Sequence, residues 1–321
     1  MKKILVIQTA FIGDVILGTA VVEKLHQFYP QTQIDFLVRQ GNETLLVNHP
    51  IIQTVLVWQK KENKYKNLAK IAKQIRQAKY DLVVNLQRHA GSGFLTWRSG
   101  AKQKIGFESN PLSFFYTKKF PHQIGNGMHE VERNQQLISD LTDEVCAQPK
   151  LYPSSKNYLK IDSLKLDKNY IVIAPASVWI TKQLPKQKVV ELIKKQDKNQ
   201  QICLIGAPSD FDYCQSIIDE VNQNNCVNLS DKLNLLDSAA LIQKAQMNFV
   251  NDSAPLHIAS AMNANVTAFF CSTIPKFGFG PLSEKAIIKE VSKQLDCRPC
   301  GIHGYKTCPK GHFKCGLEIE L

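Results

Sequence analysis

Strand-like apolar runs alternate with helix-period segments almost from end to end of this 321-residue chain, and no other feature constrains its fold as tightly. "KKILVIQ", "QIDFLVR" and "YDLVVNL" are rich enough in Val, Ile, Leu and Phe to be strands buried on both faces. Between the first two, Leu17, Val21, Leu25 and Phe28 mark one face of a helix whose other face carries Glu23, Lys24 and Gln27. Repetition of strand and helix implies parallel strands joined by crossover helices, hence an α/β sheet with helices on both faces.

The pattern lapses and then restarts. A helix is predicted near 129–142, and a polar stretch, 146–169, containing Pro149 and Pro153 is the predicted linker. Beyond it, "NYIVIAP", "QQICLIG", "QMNFVND" and "NVTAFFC" read as strands, with helices predicted over about 185–196, 209–222, 234–245 and 254–262. A chain of this length suits two domains. The expected architecture is two doubly wound domains of nucleotide-binding type, 1–160 and 161–321, facing each other across a cleft. In such sheets ligands gather beyond the carboxyl ends of the strands.

No apolar stretch reaches the ~20 residues a membrane helix needs. Gln8 and Asp14 interrupt the first apolar segment, and Glu23 and Lys24 close it, unlike the uninterrupted core of a secretion signal. The expectation is a cytoplasmic protein. Forty Lys and Arg against 28 Asp and Glu give a net charge of +12, which favours anionic partners: nucleic acid, lipid headgroups or a phosphorylated substrate. Nine cysteines, an odd number, argue for reduced thiols over a disulfide framework.

Four places could carry chemistry. Asp14 follows Gly13 at the junction of the first strand and first helix; it is either a first-turn carboxylate favoured by the helix dipole or a general base. In "NDSAPLHIASA", Asp252, Ser253, Pro255 and His257 open a helix whose free N–H groups suit a phosphate. In "PASVWITKQLP", Lys182 can reach a pyrophosphate as a flexible point charge or be an ordinary solvated loop lysine. In the tail, Cys297, Cys300, Cys308 and Cys315 stand beside His303 and His312, a spacing compatible with a structural zinc or with packed thiols. The D-x-D of Asp210 and Asp212 is explained by first-turn capping after Ser209, without a metal. P-loop, G-x-S-x-G, HExxH and GxGxxG motifs are all missing.

With those residues in hand, the chain resembles the bacterial lipopolysaccharide heptosyltransferases of glycosyltransferase family 9. The matching pieces run in the family's order: "KKILVIQTAFIGDVILGTAVVEKL", "YDLVVNLQRHAGSGFLTWRSGAKQKIGF", "HEVER", "TKQLP", "NDSAPLHIASAMNANVTAFF" and the cysteine-bearing tail. The resemblance implies the GT-B fold, with an acceptor-binding N-terminal half and a donor-binding C-terminal half. It implies Asp14 as catalytic base of an inverting transfer, and Gly13, Thr181, Lys182, Asp210, Asp252, Ser253, Ala254 and His257 at the nucleotide-sugar site. Lys60, Lys61, Arg88 and Arg98 either meet an anionic glycolipid acceptor or form an ordinary solvated face. The chain departs from the family at Ala254, where glycine is usual, at Phe270 to Thr273, and at Leu184 and Pro185.

The expected activity is transfer of a heptose, from ADP-heptose, to a lipopolysaccharide core at the inner membrane's cytoplasmic face. No cofactor is needed if lysine and a helix dipole take the leaving diphosphate's charge. One rival keeps the fold and changes the nucleotide sugar. Another, of a different class, is a basic, zinc-stabilised nucleic-acid-binding protein, although its basic segments lack interleaved aromatics; with the enzyme reading, no nucleic-acid partner is expected.

Overall fold

A computed structural model describes residues 1–60 and 62–321. The chain divides into two compact units, Met1–Tyr152 and Pro153–Leu321.

The first unit contains β1 (Lys3–Ile7), α1 (Ile12–Phe28), β2 (Gln33–Arg39), β3 (Ile52–Trp58), α2 (Lys64–Ala78), β4 (Leu82–Asn85), α3 (Ala90–Arg98), β5 (Gln103–Phe107), β6 (Lys118–Phe120) and α4 (Glu130–Gln136). Its sheet has the order β3-β2-β1-β4-β5-β6. The second contains α5 (Ser155–Ser163), β7 (Ile171–Ala174), α6 (Lys186–Lys194), β8 (Ile202–Leu204), α7 (Phe211–Val221), β9 (Cys226–Asn228), α8 (Leu235–Lys244), β10 (Met247–Asn251), α9 (Ala254–Ala261), β11 (Val266–Phe270), β12 (Ala286–Glu290) and α10 (Lys314–Leu317). Its order is β12-β11-β10-β7-β8-β9.

All strand pairings are parallel, and each sheet starts at its centre, runs to one edge, then returns to build the other. Each unit is therefore a Rossmann-like domain with a switch point between its first and fourth strands, β1 with β4 and β7 with β10. The central strands are apolar on both faces because helices cover both: Ile4, Leu5, Val6 and Ile7 are all fully buried, and Ile171 to Ala174 nearly so.

Three details differ from the sequence reading. On α1, Glu23 and Lys24 are buried and Phe28 is 42% exposed, so of the presumed polar face only Gln27 stays exposed. Segment 141–152 lies over the two charged residues: Lys24 Nζ bonds Asp143 and the Val145 carbonyl, and the Tyr152 hydroxyl donates to Glu23 at 2.8 Å. The helix predicted over 129–142 ends at Gln136 and gives way to turns. The predicted linker contains α5, held to α8 by Asn157 Nδ2 donating to Asp237 at 2.8 Å and by a Lys160 to Asp237 ion pair of 2.6 Å.

Candidate functional site

In the first unit the candidate chemistry sits at the carboxyl ends of β1 and β4. The chain leaves β1 through Gln8 to Phe11 and enters α1, placing Asp14 in the helix's first turn. There its Oδ2 accepts the Phe11 N–H at 2.7 Å, so the capping role is real. Capping does not exhaust the group. Burial of the half-buried carboxyl pushes its pKa up from 3.8 to about 6; the Phe11 N–H opposes this, the negative charge of Glu130 adds to it, and Arg88 opposes it again. Glu130 is itself buried, yet His122 and Arg133 hold it below the usual carboxylate range, through contacts of 3.1 and 2.8 Å. It therefore remains an anion near Asp14.

The turn that carries Asp14 is pinned across the switch point. Gln87, just past β4, donates from Nε2 to Gln8 Oε1 and to the Ala10 carbonyl. Lys60 approaches from the end of β3, its Nζ 3.1 Å from Thr9 Oγ1 and 4.1 Å from the centre of the Trp58 ring. Burial, then the charges of Arg39 and Lys64, lower Lys60 to about 8, which leaves it mostly cationic at neutral pH. Arg88 is exposed just beyond β4. Arg98 is at the far end of α3, about 13 Å along the helix from His89, with its guanidinium over Trp97. Lys61 lies outside the described residues.

The second unit repeats the design at β7 and β10. Asn251, the last residue of β10, donates to the carbonyls of Ala174 at 3.2 Å and Pro175 at 2.9 Å, and accepts the Leu184 N–H at 2.8 Å. It thus ties the loop after β7 to the end of β10. That bond network brings Lys182, in a single 3-10 turn (Ile180–Lys182), to Asp252, with Nζ 2.7 Å from Oδ2. The same oxygen accepts from the Thr273 hydroxyl at 2.6 Å. Ser253 is the N-cap of α9, Ala254 and Pro255 open the helix, and His257 is buried within its first turns. A lysine, a hydroxyl-bearing cap and the positive end of a helix dipole are therefore adjacent, which suits a diphosphate. Pro185 is the N-cap residue of α6, so the lysine loop ends where the next helix begins.

Thr181 is buried beside Lys182, with its side chain bonded to Tyr305 of the tail and to Ser272 just past β11. Asp210 lies past β8, away from the switch point in sheet order, and its Oδ2 accepts the Ala207 N–H at 2.8 Å. Asp210, and not Ser209, is the N-cap residue of α7.

In the tail, Cys297 Sγ is 3.8 Å from His312 Nε2 and the Cys300 thiol donates to the Cys297 carbonyl at 3.3 Å. Burial raises the thiol pKa of Cys300 and pushes Cys315 up to about 11; Cys308 is likewise not disulfide-bonded. Among the described residues no group of three or more His, Cys, Asp or Glu side chains is disposed to hold a metal ion.

Gln87, Asn251, Thr273, Glu130 and Arg298 were not anticipated. Asn251 had a visible signal, a polar residue closing an apolar strand directly before Asp252. The others gain meaning only from which strands become neighbours.

No helix among the described residues is long and apolar enough to cross a membrane. The sequence profile of glycosyltransferase family 9 (heptosyltransferase) matches residues 68–307, a span that includes Lys182 and the Asp252 helix start and begins after Asp14. The chain is 29% identical over 277 residues to lipopolysaccharide heptosyltransferase 3 of Escherichia coli, covering 82% of each. It is 23% identical over 317 residues to lipopolysaccharide heptosyltransferase 1 of Campylobacter coli, covering 92% of this chain and 89% of that one. Its fold is similar to that of E. coli ADP-heptose lps heptosyltransferase II, with a TM-score of 0.80 at 22% identity over 94% of this chain and 96% of the other. E. coli heptosyltransferase WaaC, solved with ADP, gives 0.71 at 22% identity over 89% and 92%. These matches disfavour the nucleic-acid-binding rival. The chain belongs to glycosyltransferase family 9, the heptosyltransferases.

Proposed function

We propose that the protein transfers a heptose from ADP-heptose to a lipopolysaccharide core, with inversion and without a catalytic metal. Asp14 takes the proton of the acceptor hydroxyl while that oxygen bonds the anomeric carbon. The bond from this carbon to the donor's phosphate oxygen breaks, and ADP leaves with the electron pair. Lys182 and the free N–H groups that open α9 take up the diphosphate's charge, a task a divalent metal performs elsewhere. Lys60 and Arg88 meet anionic groups of the acceptor, and Asp210 serves the donor side through the loop it caps.

The observation that carries the mechanism is the placement of Asp14 in the first turn of α1, at the carboxyl end of β1, where burial raises its pKa to about 6. A base near 6 is largely ionised at neutral pH and still a better proton acceptor than an ordinary aspartate. Support for ADP-heptose and the core acceptor comes from the heptosyltransferase relatives, some of them solved with ADP or an ADP-heptose analogue.

A panel of ADP, UDP and GDP sugars tests the reading, incubated with heptose-less lipopolysaccharide with and without EDTA. Release of ADP from ADP-heptose alone, unchanged by EDTA, is expected. Turnover confined to a UDP or GDP sugar replaces the donor, and loss in EDTA reversed by a divalent ion overturns the metal-free mechanism.

A further inference from the structure

We infer that the C-terminal turn at 301–305 is the positioning element for Lys182, with Gly304 the residue on which the fit depends. This rests on the donor role proposed for Lys182 and extends it to a segment more than a hundred residues away.

Thr181, immediately before the lysine, is 2% exposed, and every hydrogen-bonding capacity of its hydroxyl is used. Its Oγ1 donates to the Tyr305 carbonyl at 3.1 Å and accepts from the Tyr305 N–H at 2.7 Å and from Ser272 Oγ at 3.0 Å. Its own N–H also donates to the Tyr305 carbonyl, at 3.1 Å, and its carbonyl accepts from the Ser272 N–H at 3.2 Å. The turn is anchored in its own right, because the Cys300 N–H donates to the Ser272 carbonyl at 2.8 Å. Arg298 holds the carbonyls of Phe270, Cys271 and Thr273 at 2.7 to 3.0 Å. Thr273 in turn donates to Asp252, the carboxylate that holds Lys182. Lys182 is therefore braced through its neighbour Thr181 by Tyr305 and at its own ammonium by Asp252.

Gly304 closes the fit. Its φ is +73°, and a Cβ there would lie 2.9 Å from both Thr181 Oγ1 and Ser272 Oγ and 3.1 Å from Lys182 Cγ. A methyl group would press on the lysine's own stem. The same turn supplies a control: Gly301 has φ +71°, yet a Cβ there meets only Tyr305 Oη, at 3.9 Å. Gly304→Ala and Gly301→Ala thus carry the same backbone strain, and only the first intrudes on Lys182.

The test is calorimetric titration of ADP into wild type, Gly304→Ala, Gly301→Ala, Lys182→Ala and the Lys182→Ala/Gly304→Ala double variant. Gly304→Ala is expected to weaken ADP binding about tenfold, the scale of one charge-assisted contact, while Gly301→Ala stays within about twofold of wild type. In the Lys182→Ala background, Gly304→Ala should cost nothing further, because the lysine it acts through is gone. Wild-type affinity in Gly304→Ala, equal losses in both glycine variants, or an undiminished loss in the double variant overturns the inference while leaving the donor reading intact. If Lys182→Ala itself binds ADP like wild type, the donor role fails and the inference falls with it. Should Gly304→Ala not fold, Thr181→Val, which keeps the volume and deletes the clasp, takes its place with the same expected loss and the same non-additivity.

Discussion

Asp14 is the residue on which the proposed chemistry turns, and its environment makes a testable statement about pH. A base with a pKa of about 6 must be ionised to act, so kcat/KM should fall as pH drops through about 6, not through the ordinary aspartate range. The stability consequence has the opposite sense from that of a salt-bridged carboxylate. Because the folded pKa lies above the unfolded one, the ionised side chain costs stability above pH 6, and the cost vanishes below pH 4. Discounted for partial exposure, Asp14→Asn should raise stability at pH 8 by about 1 kcal/mol and leave it unchanged at pH 3.5. Chemical denaturation at both pH values checks this. The candidate base was legible in the sequence because a charged residue between an apolar strand and an apolar helix has few explanations. Glu130, which helps raise its pKa, sits 116 positions away and was visible only as a helix-start residue.

Among elements, both domains solve the same problem in the same way: the loop after the first strand must be held to the end of the fourth. Gln87 does so in one domain and Asn251 in the other, each an amide that donates to carbonyls across the switch point. Asn251→Ala leaves two carbonyls and the Leu184 N–H without their partner in a buried site. It should destabilise the second domain by about 2 to 4 kcal/mol, seen as a Tm lower by roughly 5–10 °C. A Tm within 2 °C of wild type would remove Asn251 from that role. The central strands β1, β2, β4, β7, β8, β10 and β11 were legible because burial on both faces writes them as continuous apolar runs. The outer strands β3, β5, β6, β9 and β12 escaped: β12 reads "AIIKE" and β6 only "KKF", half-exposed segments without a distinct pattern. Helix α5 was hidden for a related reason, since it buries Ile161 alone and is held by one hydrogen bond and one ion pair to Asp237.

For the whole molecule, each domain carries its own switch point and its own set of reactive groups. Donor and acceptor chemistry are therefore proposed to be separable by ligand. Hydrogen exchange should show ADP slowing amides in 175–184 and 251–262, with 8–18 unchanged. Protection confined to 8–18 would reverse the assignment of the two domains. Two-domain α/β architecture was readable from the restart of the strand and helix alternation after residue 169. The tail's bracing of Lys182 was not readable, because it rests on which loops meet at Thr181 and on the room left beside Gly304.

The most direct measurement is the turnover of ADP-heptose on heptose-less lipopolysaccharide by wild type and Asp14→Asn, with ADP affinity determined on the same preparations. Loss of the base should lower kcat by about 10² to 10⁴ while ADP binds within about twofold of wild type. Turnover like that of wild type, or a loss that simply follows lost ADP affinity, would contradict the assignment of Asp14 as the base.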